Sequence, residues 1–155
     1  VLLVDRDDRL LLFELRRDAA QPQSGSCWIT PGGGVDRGES LAVAAARELA
    51  EEIGLVLAPA LLGPVIAQTG GYADLSWATG MFRDDFFFYR VDAHDVDTSG
   101  QEALESSQLL SHRWWTVAEL ADTTETIYPL GLVALLGDLL AGRTPAEPIP
   151  LPWHH

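Results

Sequence analysis

Gly33–Leu55 reads GGVDRGESLAVAAARELAEEIGL, and the organisation of the chain is read outward from it. From Ser40 to Ile53 there are five alanines and no Pro or Gly. Ser40 or Glu39 is placed to cap the start, and Gly54 supplies the left-handed turn that commonly ends a helix. At about 100° per residue, Ala42, Ala46, Leu49 and Ile53 fall on one apolar stripe. Glu48, Glu51 and Glu52 are expected on the opposite face, related as i, i+3 and i+4, so that their carboxylates converge. Three like charges there would weaken an isolated helix. A hard divalent cation is the usual compensation, since it takes oxygen ligands and keeps waters for a substrate phosphate. Arg47, four residues before Glu51 and eight after Glu39, is placed to brace the carboxylates.

The preceding loop, Thr30-Pro31-Gly32-Gly33-Gly34, lets backbone groups come close to a metal or a phosphate, because no side chains stand in the way. Gly33 and Gly34 are therefore candidate substrate-binding positions. Alone, an acidic helix face reads as solvated surface and a glycine run as a flexible turn. Together, at this spacing, they read as a site.

The stretch resembles the box of the Nudix (MutT-like) hydrolase family: Gly33, five residues, Glu39, seven residues, Arg47-Glu48, apolar Leu49, Glu51-Glu52, Gly54 and apolar Leu55. Seven identities would coincide by chance about once in 10⁹ windows, so the resemblance outweighs accident. It implies an α/β fold, a Nudix-type α/β/α sandwich with a mixed β-sheet. The implied activity is a metal-dependent pyrophosphohydrolase that cleaves the diphosphate linkage of a nucleoside diphosphate joined to another moiety. Nucleoside triphosphates, dinucleoside polyphosphates, ADP-ribose and nucleotide sugars all offer that bond. Glu48, Glu51, Glu52 and the carbonyl of Gly32 are the implied ligands of Mg²⁺, with Mn²⁺ as its substitute. Glu51, Glu52 and Arg47 are the catalytic candidates within the box, with Glu39 and Gly54 as structural support. Many relatives take a further Glu from a later loop, and here Glu105, ahead of Glu102, matches. Tyr72 lies near where dinucleoside polyphosphate hydrolases place a substrate-binding tyrosine. The alternative is a non-catalytic Nudix domain that binds a nucleotide or regulates; such domains usually lose box carboxylates, and none is lost here.

A chain of 155 residues with 47% hydrophobic and 21% charged residues is globular and most simply one domain. Residues 1–142 are read as the hydrolase domain and 143–155 as a Pro-rich C-terminal tail ending in Trp153-His154-His155. A net charge of −13 disfavours a nucleic-acid polymer or an anionic membrane as partner, but not a small phosphorylated nucleotide whose charge is neutralised locally by metal. No apolar run is long enough to span a bilayer, and the single cysteine, Cys27, suits a reducing cytoplasm. Cys27 and Trp28 are expected in the core.

The rest of the chain is read as supporting elements. Val1–Val4 and Arg9–Arg16 form a strand hairpin, followed by a polar loop; Arg16 at its start is a candidate contact for a substrate phosphate or base. A strand is expected within Val56–Gln68 and a Gly-rich loop over the site at Thr69–Arg83. Asp84–Val91 is expected as one central strand. His112–Thr116 reads as a strand and Val117–Ala121 as a short helix. Tyr128–Ala141 reads as a C-terminal helix, with domain core as its default role and a homodimer interface as the alternative.

Overall fold

The computed structural model describes residues 1–17, 23, 25–74, 78–100 and 108–153. The larger sheet contains β1 (Leu2–Val4), β2 (Leu10–Arg16), β3 (Ser26–Ile29), β6 (Phe88–Arg90) and β7 (Leu109–Trp115). β2 runs antiparallel to β1, β3 and β7, whereas β1 pairs in parallel with β6, so the sheet is mixed. The smaller sheet has the order β5 (Thr79–Phe86), β4 (Ala67–Asp74), β8 (Ile149–Pro150). The helices are α1 (Leu41–Ile53), α2 (Val117–Asp122) and α3 (Leu132–Leu140).

Period-two alternation explains the layering. Leu2, Val4, Leu10 and Leu12 point into one apolar cluster, which α3 covers with Leu132, Leu135, Leu136 and Leu139. Val1, Leu3, Leu11 and Phe13 point the other way, against Ala46, Leu49 and Ile53 of α1. Strands covered on both faces read as continuous apolar runs, as LLLF does here. Each such buried leucine contributes roughly 1.5–3 kcal/mol. The result is the α/β/α sandwich.

Three expectations change. Asp84–Val91 is not one strand: the Phe86 carbonyl accepts from Ile66 N of the neighbouring segment at 2.8 Å, and that of Phe87 from Leu2 N of the larger sheet at 2.7 Å. The chain changes sheet at Phe87 while Phe86 and Phe87 enter opposite clusters. Thr69–Arg83 is not a loop over the site; most of it forms the arms of the β4–β5 hairpin, paired from Ala67↔Phe86 to Asp74↔Thr79. Val56–Gln68 yields a short 3₁₀ turn at Pro59–Leu62, and β4 begins only at Ala67. The β7 and α2 expectations hold, each with slightly different ends, while α3 starts at Leu132 rather than at Tyr128.

The segment beyond α3 returns to the domain. β8 pairs in parallel with β4, Leu151 N donates to Gln68 O at 2.7 Å, and Thr69 Oγ1 donates to Pro152 O at 3.0 Å. In PIPLPW, Ile149, Leu151 and Trp153 are partly buried while Pro150 and Pro152 face out.

The β1–β2 turn is organised by Asp5, whose carboxylate accepts from Asp7 N (2.9 Å), Arg9 N (2.9 Å) and Arg9 Nε (2.8 Å). Burial opposes ionisation of Asp5, but these donors outweigh it and hold its pKa below the ordinary 3.8. A depressed carboxylate pKa adds stability that is complete above the unfolded-state value and is lost as pH falls through the folded-state value. Asp5→Asn should therefore cost roughly 1–2 kcal/mol near neutrality. The gap in Tm from the parent should close as pH drops below 3.8, as followed by thermal melts in a pH series.

Candidate active site

Helix α1 is bounded as its sequence dictates. Ser40 Oγ accepts from Val43 N at 3.3 Å, and Gly54 takes the left-handed conformation at φ 71°. Gly54 N then donates to Ala50 O and Leu55 N to Leu49 O, each at 3.1 Å, which satisfies the last carbonyls of the helix.

The acidic residues do not all lie opposite the apolar stripe. Glu48 and Glu52 are buried, at 5% and 7% exposure, whereas the Glu51 side chain is 43% exposed. The helical angle explains this. Glu52 and Glu48 stand only about 60° and 100° from Leu49, on the flank of the packed face, and Glu51 stands about 160° away. The glycine loop closes over that flank. Gly32 N donates to Glu52 Oε2 at 2.7 Å. At Gly33, an added Cβ would lie 2.4–2.7 Å from the Glu48 carboxylate, so a side chain there would have to displace that carboxylate.

Arg47 ties the remaining parts together. Its Nη1 donates to Glu48 Oε1 (2.9 Å) and Glu51 Oε2 (3.0 Å), and its Nη2 to the carbonyl of Gly34 (2.9 Å). Nε and Nη2 also reach both oxygens of Glu39 at 3.2 Å. Hydrogen bonding by Glu39 raises the Arg47 pKa above its ordinary range, reinforced by Glu48 and Glu51. Reciprocally, Arg47 and the Asp36 amide lower that of Glu39. One guanidinium thus links the loop, the cap region and the acidic flank, which a lysine ammonium, with its compact charge, could not do.

All the oxygens gathered here are hard donors. Among the described residues, no three His, Cys, Asp or Glu side chains are grouped so as to hold a metal ion between them. Magnesium does not need such a group: one or two carboxylates, waters and substrate phosphates usually complete its shell. The buried carboxylates presented at the Gly32–Gly33 backbone therefore fit such an ion, with Glu51 alongside and held by Arg47.

Beside the loop opens a cleft of about 620 Å³. One wall is Thr30–Gly34 with Leu41, Ala44 and Ala45 of α1; the other is Phe82–Phe87 with Trp153. Glu48 and Glu52 touch the loop rather than line the cleft. Arg16 is not brought there: it pairs with Ser26 at the far end of β2. Tyr72 is 62% exposed on β4, and neither residue is among the described residues that line the cleft. Glu102, Glu105, His154 and His155 lie outside the described residues. Trp28 is core, edge-on to Trp115 at 5.0 Å with its indole N–H donated to Glu125. Cys27 is half-buried, and burial pushes its thiol pKa up, as suits an unreactive packing residue. Trp153 is a cleft residue that sequence reading did not assign. The alternation of PIPLPW was the available signal for Trp153.

A family model described as NUDIX domain matches residues 1–135. The chain belongs to the Nudix family. Solved structures with the same fold include a MutT protein from Methanosarcina mazei Go1, 22% identical with a TM-score of 0.62, covering 91% of this chain and 89% of that one. The NUDIX domain of Shewanella oneidensis NrtR, complexed with ADP ribose, is 17% identical with a TM-score of 0.58, covering 85% and 77%. A C. elegans Ap4A hydrolase is 17% identical with a TM-score of 0.52, covering 91% and 93%. Among the described residues of this Nudix chain, no helix is long and apolar enough to cross a membrane.

Proposed function

We propose that this Nudix chain is a Mg²⁺-dependent pyrophosphohydrolase acting on a nucleoside diphosphate linked to another group. The observation that carries this reading is the pair of buried carboxylates, Glu48 and Glu52, held against the Gly32–Gly33 backbone at the edge of a cleft. Arg47 on Glu48 and the Gly32 amide on Glu52 hold both carboxylates at the loop, where their oxygens suit a hard cation. Glu48, Glu51, Glu52 and the Gly32 carbonyl would hold the metal. When bound, it supplies neutralisation of phosphate oxygens and a lowered pKa for a coordinated water.

The chain's own residues do the rest. The amides of Gly33 and Gly34 can approach a phosphate without side-chain obstruction. Arg47 holds Glu48 and Glu51 in register with the loop, and Glu51 or Glu52 accepts the proton of the attacking water. A nucleotide-type substrate is further supported by the ligand named for the NrtR domain and the substrate named for the C. elegans enzyme. The rival reading, a domain that binds a nucleotide without turnover, is disfavoured by the intact set of box carboxylates.

The test is a panel of nucleoside triphosphates, dinucleoside polyphosphates, ADP-ribose and nucleotide sugars, with released phosphate and pyrophosphate measured with Mg²⁺ and with chelator. Product formed only with metal is the expected result. Binding without product under every metal condition would favour the rival.

A further inference from the structure

In the smaller sheet β4 has β5 on one side and, on the other, the strap of residues 148–153 that contains β8. The strap holds β4 through every second residue. Ile149 N donates to Ile66 O at 3.0 Å and Leu151 N to Gln68 O at 2.7 Å, and both side chains pack against the α3-side core. Successive residues of an extended chain turn their N–H groups to opposite borders. With Ile149 and Leu151 turned towards β4, the positions turned away from it are Pro148, Pro150 and Pro152. Each is proline, so the outer border of the strap has no N–H to offer a further strand at any of them. Burial does not select proline there, because all three side chains are exposed. A β-branched residue would suit an exposed strand position better.

The covered border belongs to a strand that is well suited to pair with itself. β4 (AQTGGYAD) carries no charge except Asp74 at its end. Two copies aligned antiparallel about Gly70 would set Gln68 opposite Tyr72 and Ala67 opposite Ala73, with no like charges facing each other. β5, on the other side of the sheet, carries Arg83, Asp84 and Asp85, and charge of this kind discourages strand addition. The sheet thus protects one side by charge and the other by the strap. We infer that residues 148–153 are an edge guard: they occupy a border of β4 that would otherwise take a second copy of this chain strand to strand, and their outward prolines stop the addition from passing to β8. Trp153, whose indole N–H donates to Tyr72 O at 3.1 Å, anchors the guard and also lines the cleft. A copy paired through β4 has therefore given up part of its cleft wall.

The test is light scattering on the full chain across a concentration series, with thermal melts to establish folding. Pro148→Thr, Pro150→Thr and Pro152→Thr combined give the outer border its donors. That variant should reach about twice the parent's mass or more, with the new amides protected from hydrogen exchange in the associated form. Leu151→Pro removes an inward donor and loosens the strap. It should associate through β4, and an excess of synthetic peptide with the sequence of residues 147–153 should return it to the parent's mass. Parental mass in either folded variant overturns the inference, as does association of Leu151→Pro that the peptide leaves unchanged. If the triple variant does not fold, Leu151→Pro and the peptide decide.

Discussion

Glu52→Gln should leave the domain folded and lower kcat by about a hundredfold or more, since even an outer partner of a metal ligand typically contributes about ten- to a hundredfold. Glutamine has nearly the shape of glutamate, and its amide oxygen can still accept from Gly32 N, the 2.7 Å bond that holds the loop to the helix. What disappears is the charge. A neutral amide is a poor ligand for a hard cation and a poor proton acceptor, so both proposed roles fail together. Glu51→Gln should show a loss of the same order, with even less effect on folding, because the Glu51 side chain is 43% exposed. Steady-state kinetics across a Mg²⁺ titration, paired with a thermal melt, gives the result. Turnover within a few-fold of the parent in both variants, at every metal concentration, would remove these carboxylates from the chemistry.

The second large effect is expected at a residue with no side chain. Gly33→Ala would place a methyl group 2.4 Å from Glu48 Oε1 and 2.7 Å from its Oε2. Either the loop lifts or the carboxylate swings away, and each movement separates Glu48 from the backbone against which it is held. Overpacking of this kind costs about 1–3 kcal/mol of stability. Activity should fall much further, by about a hundredfold, because a displacement of about an ångström at a reacting site is worth that much. Gly137→Ala, on α3 and away from the glycine loop, is the control: nothing lies within 4 Å of its added Cβ. Equal activity in the two variants would show that the contact between Gly33 and Glu48 is irrelevant to turnover.

Much of the site was legible because its parts are close in sequence and carry unusual constraints. Ser40, Gly54, the glycine run and the i, i+4 spacing of Glu48 and Glu52 each have a local physical meaning, and a resemblance to a known box joined them. The orientation of the acids was harder to read. Residues about 60–100° from an apolar stripe can face solvent or lie beneath a neighbouring loop, and the helix alone does not say which. The exchange of sheets at Phe87 was hidden for a similar reason: side-chain alternation continues through it, and only the backbone partners of Phe86 and Phe87 reveal the change. Gly70 and Gly71 looked like loop signals, although in β4 they mark close approach by Phe82 and Trp153. Arg16 and Tyr72 were drawn from residue type and position, and neither is among the described residues that line the cleft.

The three-residue strand β1 has its antiparallel neighbour a few residues away, but its parallel one, β6, arrives only after α1 and the β4–β5 hairpin. Until Phe88–Arg90 docks, Leu2–Val4 presents an unpaired, wholly apolar edge. Such an edge is a template for pairing with another chain, so a nascent or clipped polypeptide ending before this point is inherently prone to self-association. Docking of those three residues takes that adhesive edge out of reach of other chains.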